Sequence, residues 1–326
     1  MDTRSDPSHV RGQTKLFRGR PIRSERSTEG QKPKWLKVRA PGSPKYLRLK
    51  RLVREQSLHT VCEEANCPNI GDCWHHGTAT FMILGGFCTQ ACTYCNVEHG
   101  RPNPIDLAEP GRVAEAVRAL ELDYVVVTSV NRDDLADGGA REFAKTITAT
   151  RSLSPHCQIE TLIPDFAGKS ESLNIVLEAQ PDVLNHNLET VSRLYPYTRP
   201  GGNYVRALKV LEHASQHKPK LTTKSGLMVG LGESWDELLD ALQDLRRVEC
   251  DILTVGQYLR PSMAHLQVSR YYHPNEFEAL KSIALEMGFG HVESGPLVRS
   301  SYHAHEQSNA FATATSVTER QDSHDS

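Results

Sequence analysis

The chain has 326 residues, enough for one large α/β domain with extensions, and its 38% hydrophobic and 24% charged residues are typical of a globular enzyme. A net charge of −2 gives no reason to expect nucleic acid as a partner, and no apolar run approaches the roughly 18 residues that a membrane span needs. The eight cysteines, without a recognisable secretory signal, predict a reducing, cytoplasmic location.

The N-terminal end is polar and basic. Residues 1–33 cannot bury enough apolar surface to order themselves, so we expect a disordered tail, and their acidic residues disfavour an organelle transit peptide. Residues 34–79 are a predicted N-terminal extension with a basic amphipathic helix around Tyr46–Gln56. The lysines and arginines of this helix form either a solvated face, which is the commoner case, or a docking face for an acidic protein.

Six of the eight cysteines lie in two compact triplets, spaced Cys-x4-Cys-x5-Cys and Cys-x3-Cys-x2-Cys. The first triplet is Cys62, Cys67 and Cys73, and the second is Cys88, Cys92 and Cys95. In a reducing compartment such triplets favour iron–sulfur ligation over disulfides. A zinc site that adds His75 or His76 to Cys73 is an alternative. Because iron–sulfur clusters normally take four cysteines, each triplet leaves one ligand position to be filled.

Strand-like runs alternate with helical patterns beyond residue 80. The runs are Phe81–Leu84, Tyr124–Thr128, Gln158–Leu162, Val183–Asn187, Thr222–Val229 and Ile252–Tyr258. The helical patterns are Pro110–Leu122, Ala140–Ser152, Ser170–Gln180, Asn203–His217, Ser234–Val248 and Pro274–Met287. This alternation implies a parallel sheet with right-handed crossovers. We therefore predict an α/β fold, a partial (β/α)6 TIM-like barrel over residues 80–295, with its chemistry at the carboxyl ends of the strands.

Polar residues follow the predicted strands. Thr128 and Asn131 lie at the end of the second run, and Asn187 and Glu189 at the end of the fourth. A period of two puts Asn187 and Glu189 on one face of an extended strand, aimed into the barrel. Any one of these residues could be a cap or a turn residue, but their repetition at successive strand ends predicts a binding face.

Four motifs resemble those of a known family. The second triplet, read as Cys88-x-x-x-Cys92-x-Tyr94-Cys95, resembles the signature of radical S-adenosylmethionine (SAM) enzymes, and residues 226–233 (GLMVGLGE) resemble the fifth-strand motif of that superfamily. Within it, the first triplet and residues 299–302 (RSSY) resemble the N-terminal and C-terminal motifs of lipoyl synthases. The resemblance covers about residues 34–305. It implies that residues 296–326 are a C-terminal segment with a disordered end, and that both extensions cover the barrel mouth.

The resemblance implies an enzyme with two 4Fe–4S clusters and SAM. Cys88, Cys92 and Cys95 would hold the SAM-bound cluster, and the first triplet would hold an auxiliary cluster with Ser301 as its fourth ligand. The implied reaction inserts two sulfur atoms at C6 and C8 of an octanoyl group on a lysine of a lipoyl carrier domain, with the auxiliary cluster as sulfur donor. Another two-cluster radical SAM sulfur-inserting enzyme and a non-catalytic metal-binding scaffold are the alternatives.

The resemblance also suggests cosubstrate contacts and partners. The expected SAM contacts are Tyr94, Thr128, Asn131, Asn187, Glu189, Arg206 and Lys224. Tyr94 would lie against the adenine, Asn187 and Glu189 would bind the ribose, and Arg206 or Lys224 would pair with the carboxylate. The expected partners are octanoylated lipoyl carrier domains (2-oxoacid dehydrogenase acyltransferase subunits and glycine cleavage H protein), an electron donor such as ferredoxin or flavodoxin, and an iron–sulfur carrier for cluster repair.

Overall fold

A computed structural model describes residues 32–38, 41–76, 78–304 and 306–307. The expected disordered tail therefore lies outside the described residues except for positions 32 and 33, and so does the expected disordered C-terminal end. Within these ranges no helix is long and apolar enough to cross a membrane.

The structure contains an eight-stranded sheet in which the spatial order of the strands follows the chain. The strands are β1 His59–Thr60, β2 Ala79–Ile83, β3 Tyr124–Ser129, β4 Gln158–Leu162, β5 Val183–Asn185, β6 Thr222–Val229, β7 Ile252–Gln257 and β8 His291–Gly295. Strands β2 to β8 are parallel, and β1 is antiparallel to β2. No pairing of described residues joins β8 back to β1, so the barrel is open. The predicted α/β partial barrel is confirmed, with β1 and β8 as additions.

Three helices precede the parallel strands, and the others lie between successive parallel strands. The helices are α1 Pro44–Glu55, α2 Val61–Glu64, α3 Ile70–His75, α4 Glu109–Ala119, α5 Ala140–Leu153, α6 Ser170–Glu178, α7 Tyr195–Thr198, α8 Tyr204–Ser215, α9 Trp235–Arg247 and α10 Pro274–Glu286. The start of α9 shows why the sequence forms a helix there: Ser234 and Glu237 cap each other's backbone N–H groups. Leu238, Leu242 and Leu245 then fall on one buried stripe.

The two faces of the strands pack against different partners. Val125 and Val127 of β3 belong to the large core between the sheet and the outer helices. Tyr124 and Val126 face the barrel interior, where they contact Ala304, a fully buried residue near the C-terminus. Residues 297–304, here called the docked segment, thus enter the barrel, in agreement with the expectation that the C-terminal segment covers it.

A buried ion pair lies on the inner face of the sheet. The Lys224 Nζ on β6 is 2.9 Å from Glu160 Oε2 on β4, and both side chains are at most 1% exposed. The Tyr124 hydroxyl donates to the same oxygen and the Asn185 amide donates to Glu160 Oε1, each at 2.7 Å. The carboxylate is fully hydrogen-bonded, which is the condition under which a buried charge is tolerated.

Lys224→Ala removes one partner of this pair and leaves the Glu160 carboxylate buried without its cation. We expect the free energy of unfolding to fall by about 3–5 kcal/mol, measured by anaerobic urea unfolding of the cluster-loaded protein followed by circular dichroism. Glu115→Ala is the control, since it breaks the exposed Arg118–Glu115 pair and costs less than about 1 kcal/mol. Similar losses in the two variants would contradict the role of the buried pair.

Candidate active site

The second triplet lies on a loop that follows β2 and folds back on itself. The Cys88 N–H donates to the Glu98 carbonyl at 2.8 Å, and the Gly100 N–H donates to the Cys88 carbonyl at 2.9 Å. The Cys88 thiol also accepts from the Asn131 N–H at 3.2 Å. Burial raises the pKa of Cys92 to about 12. A bound iron would reverse this effect, because metal coordination stabilises the thiolate.

All three thiols line one cavity of about 230 Å³, here called the main cavity. Five of the predicted cosubstrate residues line it as well: Tyr94, Thr128, Asn131, Asn187 and Glu189. These residues come from the cysteine loop and from the carboxyl ends of β3 and β5. The structure therefore brings the second triplet and most of the predicted binding face together, as parallel strands do at their carboxyl ends.

Asn187 and Glu189 reach the main cavity by a different backbone path from the predicted one. Strand β5 ends at Asn185, and Glu189 has a left-handed φ of 69° instead of an extended backbone. The Glu189 N–H and carbonyl pair with Gly226 and Met228 of β6 at 2.9 and 2.8 Å, which fixes this strained residue.

The Glu189 carboxylate lies beside the polar groups of Asn187 and Tyr94 in the wall of the main cavity. Burial raises the pKa of Glu189, and the nearby Arg199 cation acts in the opposite direction.

Two predicted carboxylate partners lie elsewhere. Lys224 is engaged with Glu160 inside the sheet and is absent from the lining of the main cavity. Arg206 donates to Asp165 Oδ2 at 2.8 Å and to the Gly201 carbonyl at 2.9 Å, also outside that lining. In the structure Lys224 and Arg206 are therefore engaged in ion pairs with Glu160 and Asp165. A strand pattern places a side chain on a face but does not show which neighbour will neutralise it.

Sequence reasoning missed Arg199, which is the cation that does line the main cavity. Its side chain is 7% exposed and lies 3.9 Å from Asp165, the same carboxylate that binds Arg206. Asp165 thus stands between the two guanidinium groups and holds Arg199 at the wall. The only sequence signal was the position of Arg199 shortly after β5, on the active-site side of the barrel.

His186 is a second residue that the sequence did not single out. Its Nδ1 lies 2.8 Å from the Ile163 carbonyl, which can only accept, so Nδ1 carries the proton. Burial and the Arg199 cation lower the pKa of His186 to about 4, and the ring is neutral at pH 7. Its Nε2 lines the main cavity and is buried with no protein partner among the described residues, as is Gln90 Oε1.

The first triplet lies on α2, α3 and the turn between them. The Cys67 N–H donates to the Cys62 carbonyl at 3.0 Å, and Cys62 and Cys73 are buried. Burial, together with the nearby Cys67, raises the pKa of Cys62 to about 12. Burial, together with Cys62 and Cys67, likewise raises the pKa of Cys73.

The docked segment lies directly over the first triplet. The Asn69 amide donates to the Leu297 carbonyl at 2.6 Å, and Cys73 accepts from the His303 N–H. The predicted ligand Ser301 lies in the chain between these two contacts. Asn69 and Leu297 are 228 residues apart in the chain, so only the folded barrel brings the docked segment to the first triplet.

The surroundings of the first triplet include a buried cation and no buried histidine from the sequence-predicted zinc site. His75 and His76 are both exposed. The Arg299 guanidinium lies near Cys67 and pairs with no carboxylate of the described residues. Burial lowers the pKa of Arg299, and an anionic iron–sulfur cluster with its thiolates would stabilise this cation.

Comparisons with known proteins agree with these features. The family model of the radical SAM superfamily matches residues 82–245, and that of the N-terminal domain of lipoyl synthase matches residues 5–67. Among solved structures, HydG, a maturase of the FeFe hydrogenase, has a TM-score of 0.53 at 16% identity and covers 72% of this chain and 54% of its own. SuiB from Streptococcus suis bound to S-adenosylmethionine has a TM-score of 0.51 at 12% identity and covers 67% of this chain and 50% of its own. Fold and cysteine motif together define a radical SAM enzyme.

Proteins of similar sequence show which family of radical SAM enzymes this chain belongs to. A lipoyl synthase from Rubrobacter xylanophilus is 56% identical over 88% of this chain and 89% of its own length, and one from Koribacter versatilis is 58% identical over 86% and 92%. The chain belongs to the lipoyl synthase family. The resemblance seen in its motifs is thereby confirmed.

Gly256 in β7 lets the docked segment approach the sheet. An added Cβ would lie 2.1 Å from the Val298 carbonyl oxygen, so Gly256→Ala must displace backbone. We expect faster amide exchange in residues 297–304, and bound iron falling from about eight to about four per chain as the auxiliary cluster is lost. Gly111→Ala is the matched control, since nothing lies within 4 Å of its added carbon. Unchanged exchange in the Gly256 variant would refute the contact.

Proposed function

We propose that the second triplet holds the SAM-bound 4Fe–4S cluster and that the first triplet, completed by Ser301, holds the auxiliary cluster. This assignment rests on one observation: the two triplets have different surroundings. The second triplet opens into the main cavity, whereas the docked segment, which contains the RSSY motif, contacts Asn69 beside the first triplet through Leu297. The reaction of the family is the insertion of two sulfur atoms at C6 and C8 of an octanoyl group carried on a lysine of a lipoyl carrier domain.

The main cavity suits SAM because its polar groups complement those of that molecule. Arg199 offers a cation to the methionine carboxylate, and Asn187 and Glu189 offer hydrogen-bond partners to the ribose hydroxyls. The unpartnered acceptors His186 Nε2 and Gln90 Oε1 suit amine or hydroxyl donors. Thr128, Asn131 and Tyr94 complete the proposed set, the first two toward the amine and Tyr94 toward the adenine.

The residues of the chain bind and orient SAM and enclose the reactive centre. When bound, SAM and the two clusters supply radical hydrogen abstraction and sulfur for two new carbon–sulfur bonds. The strained Glu189, held by β6, fixes the ribose end of the proposed SAM site. The docked segment closes the barrel interior, which limits the access of water to a reactive centre.

A carrier domain needs a docking face, and we propose helix α1 for that role. Lys45, Arg51 and Arg54 are exposed, and no carboxylate of the described residues pairs with them. The buried face of the helix packs against α3, which carries Cys73 of the first triplet, with Tyr46 and Trp74 ring centroids 5.0 Å apart. An acidic carrier domain would be steered to this place by charge. We also propose a reduced electron carrier and an iron–sulfur carrier as partners, and a cytoplasmic location.

Cysteine variants separate the roles of the two triplets. With SAM, a reductant and an octanoyl-lysine peptide under anaerobic conditions, Cys92→Ala should reduce 5′-deoxyadenosine to background, because the SAM-bound cluster cannot form. Cys67→Ala should keep 5′-deoxyadenosine formation and lose the lipoyl product, both measured by mass spectrometry. Cys157→Ala, which removes a buried thiol remote from both triplets, is the control and should retain both products. Lipoyl product from Cys67→Ala would rule out the donor role of the first triplet.

Two arginine variants test which cation binds the cosubstrate. Arg199→Gln should weaken SAM binding by about 10- to 100-fold, the effect of losing a hydrogen bond to a charged group, measured by isothermal titration calorimetry on cluster-loaded protein. Arg206→Gln is the comparison, because Arg206 lies outside the lining of the main cavity and its loss should cost less than Arg199→Gln. The reverse order of the two dissociation constants would restore Arg206 as the carboxylate partner.

A further inference from the structure

The docked segment touches the main cavity as well as the first triplet. The Ser300 hydroxyl donates to Asn187 Oδ1 at 3.0 Å, across 113 residues of sequence. Asn187 lines the main cavity. Ser301, the next residue in the chain, is the proposed auxiliary ligand. Ser300 therefore contacts the main cavity, and its neighbour Ser301 is proposed to bind the auxiliary cluster.

The contact continues to the wall of the main cavity. Ser300 donates to the side-chain oxygen Oδ1 of Asn187, and the polar groups of Asn187 and Tyr94 lie beside the Glu189 carboxylate. Because an amide has one accepting and one donating end, the bond from Ser300 fixes which way Asn187 points. Ser300 thereby sets the orientation of Asn187, which lies in a distant part of the chain.

The sheet is built to leave room for this contact. At Gly226 in β6 an added Cβ would lie 2.7 Å from Asn187 Oδ1 and 3.1 Å from the Ser300 hydroxyl oxygen. Any larger residue at position 226 would push the two groups apart. The approach of Ser300 to Asn187 therefore depends on the absence of a side chain at Gly226.

We propose that Ser300 is a positioning residue that couples the occupancy of the main cavity to the docking of residues 297–304. The proposal rests on the assignment of the main cavity to SAM. A ligand that binds Asn187 and Glu189 holds Asn187 in the orientation that accepts from Ser300, so SAM stabilises the docked segment. By linkage the docked segment strengthens SAM binding by the same factor.

Hydrogen exchange with and without SAM tests the coupling on anaerobic, cluster-loaded protein. In the parent chain, saturating SAM should slow amide exchange in residues 297–304 by about 2- to 10-fold, the equilibrium effect of one buried hydrogen bond. Ser300→Ala should remove this SAM dependence and raise the dissociation constant for SAM by a similar factor, read by calorimetry. Ser300→Thr keeps the hydroxyl and should restore both.

Ser294→Ala is the matched control. It removes a buried hydroxyl that donates to the Phe277 carbonyl at 2.8 Å, close in sequence but outside the lining of the main cavity, and the SAM effect should persist. Equal protection by SAM in the parent and Ser300→Ala chains would overturn the coupling. So would an absence of protection in a parent chain that binds SAM. A parent chain that binds no SAM would overturn the cavity assignment itself, and the coupling with it.

Discussion

The approach of residues 297–304 to the inner face of the barrel is the constraint on which both candidate sites depend. The Val298 carbonyl passes so close to β7 that only a glycine fits at position 256. From there the segment places Ser300 against Asn187 of the main cavity, and Leu297 accepts a hydrogen bond from Asn69, which lies between two cysteines of the first triplet. Without this contact the first triplet would lack its cover and its proposed fourth ligand.

Buried charged side chains near this contact differ in how completely the protein itself neutralises them. In the sheet interior Glu160 and Lys224 neutralise each other and accept no further ligand. At the site, Arg199 lies near Cys92 and shares the Asp165 carboxylate with Arg206, whereas Arg299 lies near Cys67 and pairs with no carboxylate of the described residues. A pair that is complete stabilises the fold, whereas a buried cation that lacks a full partner is a candidate to meet a charged cofactor.

The architecture and the family were accessible from the sequence, but several contacts were not. The six predicted strands and their helices are present, because apolar runs and caps such as Ser234–Glu237 are local signals. Strand β8 was missed because its residues are only alternately buried and mostly polar. The end of β5 was placed two residues too late, because the left-handed turn at Glu189 is imposed by pairing with β6 and leaves no mark in the composition.

The sequence by itself determined the two cysteine triplets, the strand–helix alternation and the motifs that identify the family, since each is written within a few consecutive residues. Only the tertiary structure decided that Arg199 rather than Arg206 or Lys224 faces the main cavity, and that Ser300 meets Asn187. The physical reason is that several cationic side chains could pair with the same few buried carboxylates. Which pairs form depends on the distances between strands and segments that are far apart in the chain.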